Sequence, residues 1–236
     1  LGCGDYMKEL FPASKLVASE ALQCPTLLRN GFGGHRIEGI GDKHVPWIHN
    51  VKNTDMVVAI DDEATINLIR LFNEPAGRAY LSAQGIPEAL IGQLDLLGIS
   101  GVANLLSAIK FSKWYELGEH DVVLTVLTDS MELYGSRLRE LHEEHGEYTD
   151  VDAAGDYHRY LKGCAVDYVE ELGYWDRKRI HNLKYYTWVE QQGKTYEEIQ
   201  AQWYDPDYWT STEGQIGEID ALIDQFNEMT GLIDDL

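Results

Sequence analysis

The chain has 236 residues and a formal net charge of −21, from 19 Lys and Arg against 40 Asp and Glu. This length suits one large domain, or one domain with an appendage. The negative charge disfavours nucleic-acid phosphates and anionic lipid surfaces as partners. Because no apolar run approaches the ~18 residues of a membrane span, we expect a soluble, cytoplasmic protein.

The cysteines support the same expectation about the compartment. Cys3, Cys24 and Cys164 are far apart, and they form neither a C-x-x-C pair nor an even-numbered framework. We therefore expect a reducing environment in which these cysteines serve mainly as packing residues.

Apolar runs in the first half predict an α/β fold. Residues 16–20, 56–60 and 122–127 are apolar without alternation, as in parallel strands that are covered on both faces. Asp61 or Asp62 is expected to cap the helix after the second run. A later helix carries an apolar i, i+3, i+4, i+7 stripe, formed by Val102, Leu105, Leu106 and Ile109. The alternation of strand and helix predicts a parallel sheet whose ligands bind beyond the carboxyl ends of its strands.

The second half of the chain is predicted to be mostly helical. Helices are predicted around 131–141, over 150–172 and 174–191, and over 195–203, with a loop at 204–212. A last helix places Ile216, Ile219, Ile223 and Phe226 on one side, and from Ser211 onward there are acidic residues but no Lys or Arg. The aromatic residues of this half favour packing onto the main domain or across a subunit interface.

Three segments after the predicted strands are candidates for ligand binding. The glycine-rich loop at 31–46 is either a flexible connection or a place where the backbone approaches a ligand closely. Ser100, in the segment 98–101, is either a helix N-cap or the partner of a ligand heteroatom. The third segment is 128–130, in which Ser130 has no evident His or Asp partner for a hydrolase triad. No metal site is expected, since His142 and His145 lie among glutamates with a spacing that differs from H-E-x-x-H.

Four motifs in the same order resemble the second half of the cysteine synthase and cystathionine β-synthase family, which are pyridoxal-phosphate enzymes of fold type II. They are I-E-G-I-G-D-K-H-V-P at 37–46, V-V-A-I-D-D-E-A at 57–64, G-I-S-G-V-A-N at 98–104 and T-D-S-M-E-L-Y at 128–134. The resemblance implies a partial three-layer parallel sheet in residues 1–134, as the C-terminal part of the cofactor-binding domain. Residues 135–236 would form a helical extension of a divergent subfamily.

The resemblance also implies a cofactor site for pyridoxal 5′-phosphate. Ser100 would hydrogen-bond the pyridine nitrogen, Gly39, Ile40 and Gly41 would line the cleft, and Thr128 and Asp129 would lie near the ring nitrogen. The implied reaction is β-elimination or β-replacement on a small amino acid with a β leaving group, in a complete protein that is a homodimer. An ammonia-lyase or dehydratase of the same fold type remains an alternative.

Departures from the family pattern limit what this chain is expected to do alone. Gly101 and Val102 replace the family's Ser-Gly, and the insertion between Glu74 and Leu97 is long. No Lys of the chain lies in a motif that matches the Schiff-base lysine, and the phosphate loop is also missing, so we assign no catalytic residue. We expect this chain by itself to be inactive. An alternative to an enzyme is that the chain is a non-catalytic binding subunit or a fragment.

Overall fold

A computed structural model describes residues 1–231 of the chain. Among these residues, the strands are β1 (Val17–Ala21), β2 (Met56–Ile60) and β3 (Val169–Glu171). The helices before β3 are α1 (Gly2–Leu10), α2 (Thr26–Arg29), α3 (Asp62–Asn73), α4 (Pro75–Ala83), α5 (Glu88–Ile91), α6 (Ile99–Trp114), α7 (Gly135–His145) and α8 (Asp150–Asp156). Those after it are α9 (Tyr174–Asn182), α10 (Tyr196–Tyr204), α11 (Tyr208–Glu213) and α12 (Ile216–Thr230).

β1 and β2 form the parallel pair that the sequence predicts. Val17 lies opposite Met56 and Ala21 opposite Ile60, one residue beyond the start predicted for the first strand. Every residue of β2 is buried. Met56, Val58 and Ile60 join one core cluster, while Val57 and Ala59 join another. Both faces of β2 are therefore covered, which explains why its sequence is apolar without alternation.

The predicted third parallel strand, 122–127, is wrong. These residues have no strand pairing, and Val122, Leu124 and Val126 are 82%, 77% and 61% exposed. The segment is held to α6 by Asn104, whose Nδ2 donates to Val126 O at 2.8 Å. An apolar run becomes a strand only where a neighbouring strand offers free backbone groups, and no described strand lies beside this one.

β3 occupies the second edge of β2 instead, and it runs antiparallel. Met56 lies opposite Glu171 and Val58 opposite Val169, so the sheet is mixed, in the order β1-β2-β3. The predicted helix 150–172 is thus correct only at its start, where α8 continues into a π-helical segment, Tyr157–Lys162. The three-residue β3 has too short a pattern to be recognised without its partner.

Side chains from helices cover the two faces of the sheet. α3 and α6 supply the larger cluster with Ile66, Ile69, Val102 and Leu106, all at most 2% exposed. α3 begins after Asp61, whose side chain accepts a hydrogen bond from Glu63 N, as one of the two predicted caps. The opposite cluster contains Leu28, Val45, Val51, Leu172 and Ile180. The architecture is a helix-rich α/β fold built around a small mixed sheet.

The C-terminal region is mainly helical, as predicted, but it also takes part in the sheet. It contributes β3 and, from α9, Ile180 of the second core cluster. The boundary between residues 134 and 135 stays a prediction. The predicted loop at 204–212 contains the start of α11.

Some aromatic side chains of this region pack against the first half of the chain, and others are exposed. Trp188 donates through Nε1 to Val45 O at 2.9 Å and meets Trp47 edge-on, whereas Trp175 is 78% exposed. Trp188 thus packs onto the first half of the chain, as the sequence led us to expect.

No single helix within residues 1–231 has the length and apolar character needed to cross a membrane. One bent pair, Glu88–Leu96 with Ile99–Trp114, satisfies the requirement by length and composition only.

Candidate functional site

Ser100 lies in the first turn of α6. The helix follows Gly98, and no side chain caps it, so the reading of Ser100 as an N-cap is wrong. Ser100 is buried, and its Oγ lies 2.7 Å from Thr128 Oγ1. Its hydroxyl therefore faces the segment that follows residues 122–127.

Thr128 and Asp129 are tied closely to the start of α6. Gly98 N donates to Asp129 O at 3.0 Å, and a Cβ at Gly98 would lie 2.0 Å from Asp129 Oδ1, so a larger residue there would force the Asp129 side chain to move. The hydroxyl of Tyr134 donates to Asp129 Oδ2. This bond, together with burial, raises the pKa of Tyr134 to about 12. Asp129 is thus an acceptor that orients its neighbours.

Gly39 approaches Ser100 from the glycine-rich loop. Its φ of +94° lies in the region that favours glycine, and a Cβ at this position would be 3.5 Å from both Cβ and Oγ of Ser100. Ile40 packs partly buried against the larger core cluster. The structure therefore brings Gly39, Ser100 and Thr128 together from three separate segments.

Gly41 lies in a different contact, at the carboxyl end of β1. Its φ is +91°, and an added Cβ would be 2.9 Å from Ala21 Cβ. Its carbonyl oxygen accepts a hydrogen bond from His35 Nε2 at 2.6 Å. Gly41 thus fixes the loop above β1, and no contact that the structure gives it reaches Ser100.

His35 and Asp62 are polar residues near this loop for which the sequence patterns indicated no role in the site. Asp62 Oδ2 accepts from Arg36 N at 2.6 Å, while Asp62 Oδ1 and His35 Nδ1 are buried with no hydrogen-bond partner among the described residues. Burial raises the pKa of Asp62 above its usual range. Such unpaired atoms are costly, and the only local signal for them was the position of His35 within the glycine-rich loop.

A cavity of about 570 Å³ lies elsewhere, at α9 and α10. Its lining includes Trp175, Lys178, Tyr186 and Tyr196 and none of the six predicted cofactor residues. The candidate site is therefore defined by the contacts among Gly39, Ser100 and Thr128 and not by this cavity.

The donor set around Ser100 has a definite chemical preference. Ser100 and Thr128 are neutral hydroxyls, and Thr128 Oγ1 also lies 3.5 Å from Asp129 Oδ1. Thr128 has a single hydroxyl proton, which it can donate either to Asp129 Oδ1 at 3.5 Å or to Ser100 Oγ at 2.7 Å. When Thr128 donates across the shorter contact to Ser100, the Ser100 proton is free for an uncharged acceptor, such as the nitrogen of an unprotonated pyridine ring. The missing Cβ of Gly39 leaves the space beside Ser100 Oγ clear of a side chain. In that arrangement the chemistry of the two hydroxyls is compatible with a neutral heteroaromatic ring.

Comparison with known proteins points to one enzyme class. Over 133 residues, which are 56% of this chain, it is 29% identical to cysteine synthase B of Campylobacter jejuni. It is 27% identical to cysteine synthase of Staphylococcus aureus over the same length. The chain spans 38% and 37% of these two relatives. No protein-family model and no solved structure matches. The chain therefore has weak similarity to part of the cysteine synthases.

Proposed function

We propose that this chain supplies part of the cofactor site of a pyridoxal-phosphate enzyme that carries out β-elimination or β-replacement on an amino acid. The observation that carries the proposal is the convergence of Ser100, Thr128 and Gly39, which lie in three of the four family-like motifs. Similarity to relatives named cysteine synthase supports the same reaction class. The chain spans under two-fifths of the length of those relatives. We therefore propose the β-elimination or β-replacement activity for the whole protein and only part of its cofactor site for this chain.

Each of the six residues has a role in this proposal. Ser100 would donate a hydrogen bond to the pyridine nitrogen, and Thr128 would hold the Ser100 hydroxyl in that orientation. Asp129 would accept from Tyr134 and keep the 128–130 segment against α6. Gly39 would leave room beside the ring, while Ile40 and Gly41 would shape the loop around it.

The cofactor supplies an electron sink for the amino acid, and the protein positions and tunes it. A serine hydroxyl leaves the pyridine nitrogen uncharged, whereas a carboxylate would favour its protonated form. A ring with an uncharged nitrogen withdraws electrons less strongly than a protonated ring. This weaker withdrawal is sufficient for the loss of a β leaving group from a serine ester or a similar amino acid. It is the chemical reason to favour β-elimination and β-replacement.

Binding of pyridoxine 5′-phosphate tests the proposed site without requiring a Schiff base. This analogue has an alcohol in place of the aldehyde, so any binding reports only the non-covalent contacts. Equilibrium dialysis against the 236-residue chain should show saturable binding that pyridoxal 5′-phosphate displaces. Absence of saturable binding of both compounds would contradict the assignment to this chain.

Product analysis distinguishes the proposed reaction from that of an ammonia-lyase or dehydratase. In a preparation that is active with pyridoxal 5′-phosphate, a serine ester and sulfide should yield cysteine. Formation of a 2-oxo acid and ammonia from unmodified serine or threonine, without cysteine formation, would favour the ammonia-lyase or dehydratase instead.

A further inference from the structure

The helix α12 displays an apolar side that no described part of the chain covers. None of its 15 residues is buried. Its six large apolar side chains are 48–78% exposed, namely Ile216, Ile219, Leu222, Ile223, Phe226 and Met229. Isolated helices of this length are marginal in water, and a contiguous exposed apolar surface usually marks a site of interaction. The stability of α12 is therefore expected to depend on a partner.

The spacing of the apolar residues indicates what shape the partner has. Ile216, Ile219, Ile223 and Phe226 follow one another at intervals of three, four and three residues. This is the a and d pattern of a heptad repeat, whose side chains insert between those of a facing helix. A helix is therefore the occupant that this surface fits best.

The charges on α12 indicate the sign of the partner. Glu218, Asp220, Asp224 and Glu228 lie on the helix, and from Ser211 to the end of the chain there is no Lys or Arg. Asp220 lies next to the apolar stripe, at the heptad position that contacts a partner's flank. A second copy would bring the same acidic groups and another −21 of net charge. Like-charge repulsion thus disfavours self-pairing, and attraction favours a basic partner.

We propose that α12 is a docking helix for an amphipathic helix of another protein that carries Lys or Arg beside its own apolar stripe. The apolar stripe supplies affinity by removing its surface from water. Asp220, beside the stripe, and the net negative charge of the chain favour a basic partner and disfavour the pairing of two α12 helices. This inference does not depend on the cofactor site, since α12 and the Ser100 cluster share no residue.

Designed peptides test the proposal on the full 236-residue chain. The probe is a fluorescein-labelled helical peptide with Leu and Ile at a and d and Lys at the flanking positions. Two matched peptides replace either Leu and Ile by Ser, or Lys by Glu. Fluorescence anisotropy should show saturable binding of the first peptide and at least about tenfold weaker binding of each matched peptide. Raising NaCl from about 50 to about 500 mM should weaken the binding.

Matched protein variants locate the binding surface. Ile223→Asp, and independently Phe226→Asp, should weaken binding at least about tenfold. Val151→Asp makes the same kind of change at an exposed apolar position of α8, where the side chain is 80% exposed, and it should leave binding unchanged. Far-UV circular dichroism checks that each variant retains the fold of the chain.

Three results would overturn the proposal. One is equal binding of the basic peptide and its Ser-substituted form, which would show charge attraction without docking. Another is unchanged binding by both α12 variants. The third is concentration-dependent dimerisation of the chain that Ile223→Asp abolishes, which would identify a second copy as the occupant.

Discussion

Ser100 Oγ lies 2.7 Å from Thr128 Oγ1, although the two residues are 28 positions apart in the chain. This contact joins the first turn of α6 to the segment that follows the exposed residues 122–127. At the same place, a Cβ added to Gly39, whose φ is positive, would lie 3.5 Å from the buried hydroxyl of Ser100. The proposed cofactor site depends on this three-way contact.

Removal of the Ser100 hydroxyl separates its role in binding from its role in stability. Ser100→Ala should lower the free energy of unfolding by about 1 kcal/mol, and it should weaken binding of pyridoxine 5′-phosphate about tenfold. Ser107→Ala is the matched control, because Ser107 lies on the same helix and its Oγ is 2.6 Å from Ser19 Oγ. The control should cost similar stability in urea unfolding and leave binding unchanged in dialysis. Equal binding by both variants would remove Ser100 from the site.

Gly39→Ala should combine a backbone penalty with a local obstruction. Alanine at positive φ costs about 1–2 kcal/mol, and its methyl group would lie 3.5 Å from Ser100 Oγ. Gly85→Ala has a similar φ of +85° with open space around the added Cβ, so it should lose stability alone. We expect weaker ligand binding only in Gly39→Ala. Comparable loss of binding in Gly85→Ala would mean that the effect is general destabilisation.

The burial of Lys184 leads us to expect that the free energy of unfolding increases above neutral pH. Its Nζ is buried and donates to Trp47 O, His49 O and Gln202 Oε1 at 2.6–2.8 Å, and burial lowers its pKa from 10.5 to about 7. Between these values the unfolded chain holds more protons than the folded chain, so stability increases with pH. From pH 7 to about 9 the increase should be about 2 kcal/mol.

Urea unfolding at both pH values measures this dependence. Lys184→Met should lose the increase, even if its stability at neutral pH also changes because three acceptors are left unpaired. Lys43→Met, at an exposed position, should keep the increase. An unchanged pH dependence in Lys184→Met would show that Lys184 titrates as an ordinary lysine.

Two buried histidines predict a loss of stability in acid. Burial, as the largest cause, lowers the pKa of His49 and of His181 to about 4. Below pH 6.5 the unfolded chain takes up protons that the folded chain does not, so stability falls as the pH falls towards 4, by up to about 3 kcal/mol per histidine. His181→Asn should reduce the slope of unfolding free energy against pH, whereas His120→Asn, at an exposed side chain, should not.

Protonation of Glu20 acts against the loss of stability in acid that the two histidines cause. Burial raises the pKa of Glu20 to about 7, although Leu27 N and Leu28 N donate to its carboxylate. The folded chain then holds the extra proton between pH 4.5 and 7, so this group stabilises the fold more as the pH falls. Glu20→Gln should therefore steepen the loss of stability in acid, and a shallower slope in that variant would contradict the raised pKa.

The sequence predicted those helices and strands whose own pattern of apolar residues reflects how they are buried. β2 is an unbroken apolar run because both of its faces are buried. The predicted stripe of α6 is correct in part, since Val102 and Leu106 are buried in the core while Leu105 and Ile109 are only partly buried. Residues 122–127 have the same pattern, but they lie exposed, since a strand also needs a neighbour that local sequence does not reveal. β3 was missed for the converse reason, because its place is set by the open edge of β2.

The candidate site divides in the same way. The order of the motifs indicated that Gly39, Ser100 and Thr128 belong to one site, and the structure places these three together. The buried unpaired atoms of His35 and Asp62 were not foreseen, since they arise only when the loop folds over the ends of β1 and β2.

The protonation state of a bound pyridine ring tests the central claim most directly. Pyridoxine 5′-phosphate labelled with ¹⁵N in the ring reports that state by its nitrogen chemical shift. Bound to the unmodified chain at neutral pH, the ring should show the shift of an unprotonated nitrogen, whereas Ser100→Asp should move the shift towards that of the protonated form. Identical shifts in the two proteins, with both binding the ligand, would contradict a contact between Ser100 and the ring nitrogen.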